Sequence, residues 1–205
     1  MGLHKIGRST QSGIEIGQWL LPAIALLASV LLLFGGESTR DWLRFERAGI
    51  SSGELWRLVS GHFVHLGWPH FALNAAGLAL VWYLVGDAFD RRRWLVISAI
   101  CILTMDLGLW IFDPELQWYV GLSGLLHGIL AAGLIAHLNK PDYGTIALAV
   151  LLLAKLAWEQ LSGPLPGSEG TAGGVVVVDS HLFGTLGGVL AAIMLRIRVR
   201  PATPI

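Results

Sequence analysis

Apolar residues fall into six blocks separated by shorter polar stretches, at about 19–34, 71–85, 94–112, 120–138, 143–161 and 175–195. A helix needs roughly 20 apolar residues to cross a bilayer, with a lower limit near ~17. The pattern therefore predicts an all-α polytopic membrane protein with six transmembrane helices, the first two being the shortest. Lys5 and Arg8 precede the first block, as in a secretory signal, but the run exceeds the ~7–15 residue core of such a signal and five more blocks follow. It reads as a span.

The breaks between blocks divide the chain into a cytoplasmic leader (1–18), a membrane domain (19–197) and a cytoplasmic tail (198–205). The longest break is an outer loop at 35–69. It contains Trp42, Trp56 and Trp68, and its Arg40, Arg44, Arg47 and Arg57 are interleaved with Asp41, Glu46 and Glu54. Tryptophan favours the membrane interface, so this loop is expected to be a structured element lying there. The segment "SGPLPGSEGTAGG" at 162–174 is rich in glycine and proline, which predicts irregular, mobile chain and a candidate gate.

Orientation follows from lysine and arginine. Lys5, Arg8, Arg91, Arg92, Arg93, Lys140, Arg196, Arg198 and Arg200 share one side if the spans alternate, whereas 113–119 and 162–174 contain neither residue type. The positive-inside rule then places both termini in the cytoplasm.

Composition agrees with a membrane solvent. Hydrophobic residues make up 54% of the chain and charged residues 14%, against about a quarter in soluble domains. Net charge is zero, which argues against a nucleic-acid partner. The lone Cys101 can form neither an internal disulfide nor a thiolate metal site. No repeat, heptad pattern or phosphate-binding loop is present, and "GSEGTAGG" lacks the lysine that would make it one.

Ionisable side chains inside spans are costly and mark candidate function. The chain places His70, Asn74, Asp106, Ser123, His127, Lys155, Glu159, Asp179 and His181 in or at the edge of its apolar blocks. Lys155 and Glu159 share a helix face; they read either as a buried ion pair locking the fifth span or as groups that meet a substrate. Asp106 reads as structural. His70 and Asn74, one turn apart, can both donate hydrogen bonds to an anion. Ser123 stands between Gly121 and Gly124 near a helix start, where unpaired amides favour developing negative charge. Two bases are available to it, His127 on the same span and His181 on the sixth. Gly184, Gly188 and Ala192 follow His181 at helical spacing, a ridge that lets another helix approach closely. His62 and His65 lack a recognised zinc spacing, so neither a metal nor another cofactor is expected.

The separated motifs "ELWRLVSGHFVHLGWPHFALN", "GLSG" and "SHLFGTLGG" resemble the rhomboid intramembrane serine proteases. Size, "YVGLSGLLHG" and "KLAWEQ" make the chain most similar to the rhombosortase branch. The resemblance implies a six-helix rhomboid bundle with Ser123 as nucleophile, His181 as general base, and an oxyanion site of His70, Asn74 and the Ser123 amide. It implies that Trp56 and Arg57 anchor the outer loop and that Gly184 occupies the family's glycine position three residues after the histidine. Ser180 replaces a common alanine. His127 stands where a bacterial branch has a tyrosine that stacks on the base; a same-helix imidazole runs parallel to the serine side chain, a poor geometry for taking its proton.

No third carboxylate is evident from the sequence, so packing and His127 are expected to orient His181. The cavity above Ser123 is expected to be roofed by the outer loop and the 162–174 segment. The resemblance further implies a bacterial inner-membrane protein, surrounded by lipid, with its site open to the periplasm. Its substrates would be exported proteins with a C-terminal glycine-glycine motif, apolar span and basic tail. The rival readings are a non-proteolytic rhomboid relative that binds spans and a small proton-coupled transporter using Asp106, Lys155 and Glu159. The first should lack the serine or the histidine, and the second should show paired broken helices.

Overall fold

The computed structural model describes residues 16–138 and 141–196. The expected leader up to residue 15, with Lys5 and Arg8, and also Lys140 and the expected tail from 198 onward lie outside them.

All six apolar blocks form helices. A short 3-10 turn leads into α1 (Leu20–Phe34); α5 (Trp68–Val85), α6 (Arg91–Phe112), α7 (Ser123–His137), α8 (Tyr143–Ser162) and α10 (Val178–Arg196) complete the bundle. Among the described residues, five helices are long and apolar enough to cross a membrane. The exception is α7, with 15 residues. At 1.5 Å per residue it covers only about 22 Å of a ~30 Å hydrocarbon layer. The expected fourth span at 120–138 is thus partly wrong, because the apolar residues before Ser123 are not helical.

The helix ends follow local chemistry. Asp90 and Asp142 cap α6 and α8 by accepting from the amides of Arg93 (2.9 Å) and Thr145 (2.7 Å). Pro69 occupies the first turn of α5, where a missing N–H costs nothing.

The bundle is built around α7, which buries nine residues including Gly124, Gly128, Ala132 and Gly133. It packs against α5, α6, α8 and, most extensively, α10. A central core joins Trp82, Trp94, Ile97, Leu125 and Ile129, while Leu31, Tyr83, Leu103 and Leu153 face outward. That outward apolar surface suits lipid.

The outer loop is structured, as its mixed charges suggest. It contains α2 (Gly36–Leu43), β1 (Phe45–Glu46), α3 (Arg47–Ser51) and α4 (Arg57–Ser60). Its strand pairs antiparallel with β2 (Trp118–Tyr119), setting Phe45 opposite Tyr119. Arg57 is buried and donates to the carbonyls of Asp41 (2.8 Å) and Arg44 (3.0 Å), beside Glu54. The Trp56 indole donates to the Trp42 carbonyl at 3.2 Å. The 162–174 segment departs from expectation by containing a five-residue helix, α9 (Ser168–Ala172). Gly167 and Gly173 flank it at φ 80° and 77°, so glycine sets its boundaries without excluding regular structure between them.

Candidate active site

Ser123 is the first residue of α7, and the chain leading to it is pinned to the outer loop. Tyr119 is held by the strand pairing, and its hydroxyl donates to the Gly121 carbonyl. Burial pushes that hydroxyl up to about 12, so it stays a donor. The Gly121 amide donates to the Gly61 carbonyl at 3.1 Å. Gly121 has φ +124°, and a side chain there would run into the His70 imidazole. Glycine is therefore required both by the backbone turn and by the ring against it.

α10 brings the second group. Side chains at Gly184 and Gly188 would strike the carbonyls of Gly124 and Gly128, so α7 and α10 approach backbone to backbone. That approach sets His181 Nε2 3.0 Å from Ser123 Oγ. The Ser180 hydroxyl, fully buried beside it, donates to the Val177 carbonyl at 2.7 Å. The buried hydroxyl of Ser180 is therefore satisfied.

His127 is not within reach of the serine hydroxyl in the same way. Its Nδ1 lies 2.7 Å from the Ser123 carbonyl, which can only accept, so the proton sits on Nδ1. The ring stacks on His181 with centroids 4.2 Å apart and planes 18° from parallel. His70 Nδ1 accepts from the Leu66 amide at 3.3 Å, leaving Nε2–H as its donor. Asn74 uses one amide hydrogen on the His70 carbonyl at 3.0 Å and keeps another.

One expectation is overturned. A carboxylate does stand behind the base: Glu159 Oε2 lies 2.9 Å from His181 Nδ1, and both residues are buried. The Lys155–Glu159 contact is present, with Nζ 2.6 Å from Oε1, but Lys155 is only partly buried and the pair does not merely lock α8. Lys155 Nζ also stands 3.4 Å from His181 Nδ1. That nitrogen cannot both donate to the carboxylate and accept from the ammonium, and the shorter charge-assisted contact assigns it the proton. The sequence clue is the cost of an intramembrane glutamate, which a lysine on the same helix face can offset without excluding a second partner.

These groups line one cavity of about 350 Å³, reached by His70, Asn74, Ser123, His127, Lys155 and His181. Leu165, Ser168 and Ala172 of the 162–174 segment line it too, but no residue of 35–69 does. Of the two segments expected to roof the cavity, only 162–174 lines it; the outer loop instead holds the chain before the serine through the β1–β2 pairing and the Gly61–Gly121 hydrogen bond.

His127, Glu159 and His181 offer donor atoms within 4.8 Å of one another. Near-parallel stacked imidazoles direct their lone pairs along parallel planes instead of toward a common point, and both carboxylate oxygens are already engaged. The set does not suit a metal. His62 meets Asp106 at 3.1 Å in a buried pair outside this cavity, so Asp106 has the structural place its sequence position suggests. Arg47, which no local sequence pattern distinguishes from the other arginines of the outer loop, donates to the carbonyls of Leu109, Trp110, Asp113 and Leu116.

A family model described as the Rhomboid domain matches residues 52–198. Bacillus subtilis YdcA is 23% identical over 155 residues, covering 76% of this chain and 74% of YdcA. Rhomboid protease GluP of the same organism is 28% identical over 191 residues, covering 89% of this chain and 35% of GluP. Rhomboid protease GlpG of Salmonella newport is 25% identical over 144 residues, covering 66% of this chain and 50% of GlpG. The chain thus spans three quarters of one relative's length but only a third to a half of the other two.

Proposed function

The chain belongs to the rhomboid family, and from that membership we propose that it is an intramembrane serine endopeptidase acting on transmembrane segments of exported proteins. The observation that carries the reading is the 3.0 Å contact between Ser123 Oγ and His181 Nε2 in a cavity also lined by His70 and Asn74.

In this reading Ser123 Oγ attacks the scissile carbonyl as His181 Nε2 takes its proton. The oxyanion is held by His70 Nε2–H, the free Asn74 amide hydrogen and the Ser123 amide. His181 then returns the proton to the departing amine, leaving an acyl-enzyme. A helical peptide bond is closed to attack, so the substrate must unwind locally. Glycine, at about 1 kcal/mol below alanine in helix propensity, makes unwinding cheapest. This supports the finer proposal of a rhombosortase-like role on C-terminal glycine-glycine tails.

The lysine and arginine distribution supports cytoplasmic termini and a cavity opening to the opposite side; the similarity to bacterial rhomboid proteases supports an inner membrane, with that opposite side the periplasm.

The test is co-expression with an exported reporter carrying such a tail. Processing is expected in wild type and lost in Ser123→Ala and His181→Ala; His70→Ala and Asn74→Ala each fall by about 10²–10³-fold. Unchanged processing by the Ser123 variant would refute the protease. Equal cleavage after the glycine pair is replaced by leucines would refute the tail specificity alone. The mass of the released protein separates hydrolysis from transfer to an amine.

A further inference from the structure

We propose that Glu159 is a positioning residue of the reaction, completing a Ser123–His181–Glu159 relay, and that Lys155 holds its carboxylate in place. The proposal rests on the serine-protease reading above.

The two carboxylate oxygens have separate partners: Oε1 accepts from Lys155 at 2.6 Å and Oε2 from His181 at 2.9 Å. A simple interhelical lock would need only the first. The second fixes the imidazole as its Nδ1–H tautomer, which leaves the Nε2 lone pair aimed at Ser123 Oγ. When Ser123 Oγ bonds to the carbonyl carbon, its proton passes to Nε2 and the imidazole becomes positive. Glu159 stays ionised and faces that charge across an existing hydrogen bond. The proton leaves from Nε2 to the amine as the C–N bond breaks, so none is gained or lost by Glu159.

The groups facing His181 are Glu159 and Lys155 from α8, Ser123 and His127 from α7, and His70 from α5. Glu159 is the one acidic group among them. Lys155 anchors the carboxylate yet opposes the imidazolium charge, so its removal matters less than removal of Glu159.

The experiment uses the full chain in detergent with a tail-bearing substrate. Glu159→Gln keeps the size but presents an amide hydrogen to Nδ1, favouring the tautomer that cannot take the serine proton. By analogy with the same substitution logic in soluble triads, kcat is expected to fall about 10²–10⁴-fold with KM within about twofold. Glu159→Asp should recover at least about tenfold over the Gln variant, and Lys155→Met should stay within about tenfold of wild type.

Equal kcat in wild type and Glu159→Gln, with Ser123→Ala inactive, would overturn the relay while leaving the protease intact. Activity in Ser123→Ala would instead remove the protease reading itself. Equal losses in Lys155→Met and Glu159→Gln, accompanied by equal losses of thermal stability, would show only an ion-pair lock. If the Gln variant fails to fold, ¹⁵N-histidine NMR of wild type decides: Nδ1–H at His181, assigned against His181→Asn, supports the relay, and Nε2–H overturns it.

Discussion

Gly184 lies against the carbonyl of Gly124, so close that no side chain fits between α10 and α7. That contact lies one residue from Ser123 on α7 and about one turn from His181 on α10, and it sets the distance between them. Gly184→Ala must separate the two helices. A displacement of about 1 Å at a reacting pair costs on the order of 10²-fold, so kcat should fall by at least that much while the protein remains inserted. Reaction with a fluorophosphonate probe should slow in parallel, and wild-type labelling would show that the contact does not control the serine.

His127 separates support from catalysis. Its ring stacks on His181 and its Nδ1–H serves the Ser123 carbonyl. His127→Phe keeps the stack and loses only the hydrogen bond, so kcat should stay within about tenfold of wild type. His127→Ala loses both and should fall further. Complete loss in the Phe variant would reassign the base to His127.

Arg47 provides the clearest test of the outer loop as scaffold. Its guanidinium serves four carbonyls at and beyond the end of α6, at 2.9 to 3.1 Å, and stacks on Trp110. Arg47→Ala leaves these acceptors without their donor, and hydrogen bonds from a charged group contribute about 1.5–3 kcal/mol each. Thermal unfolding in detergent should show a clear drop, only partly recovered by Arg47→Lys, which lacks the planar fork.

Acid should loosen the outer loop that holds the chain before the serine. Burial, reinforced by nearby His70 and only partly opposed by the Phe63 carbonyl, pushes His65 from 6.5 down to about 4. A lowered folded-state value means the neutral form is favoured on folding. Its contribution is therefore complete above pH 6.5 and is lost as pH falls toward 4, in total about 3 kcal/mol. Chemical unfolding at pH 7.5 and 4.5 should show the loss, and His65→Phe should reduce it. Equal acid sensitivity of the variant would assign the effect elsewhere.

Several features were legible in the chain because they depend on local composition. Intramembrane polarity singled out Ser123, His70, Asn74, Lys155, Glu159 and His181, and small residues at helical spacing marked the face of α10 that meets α7. The start of α7 was not legible: Val120 and Leu122 are as apolar as the helix, and hydropathy cannot distinguish buried extended chain from buried helix. Nor was α9, whose short span depends on where glycines at positive φ place their turns.

By itself the sequence determined the apolar helices, their order and the small set of polar groups that had to be satisfied within them, because the transfer cost of each residue into an apolar medium is a property of that residue. Only the tertiary structure decided which of those groups meet. Glu159 and His181 are 22 positions apart on different helices, and their 2.9 Å contact exists because α8 and α10 pack at one rotation. The same packing sends His181 to the serine hydroxyl and leaves His127 on the serine carbonyl. Periodicity specifies a helix face, but the partner of that face is fixed by packing against every other helix at once.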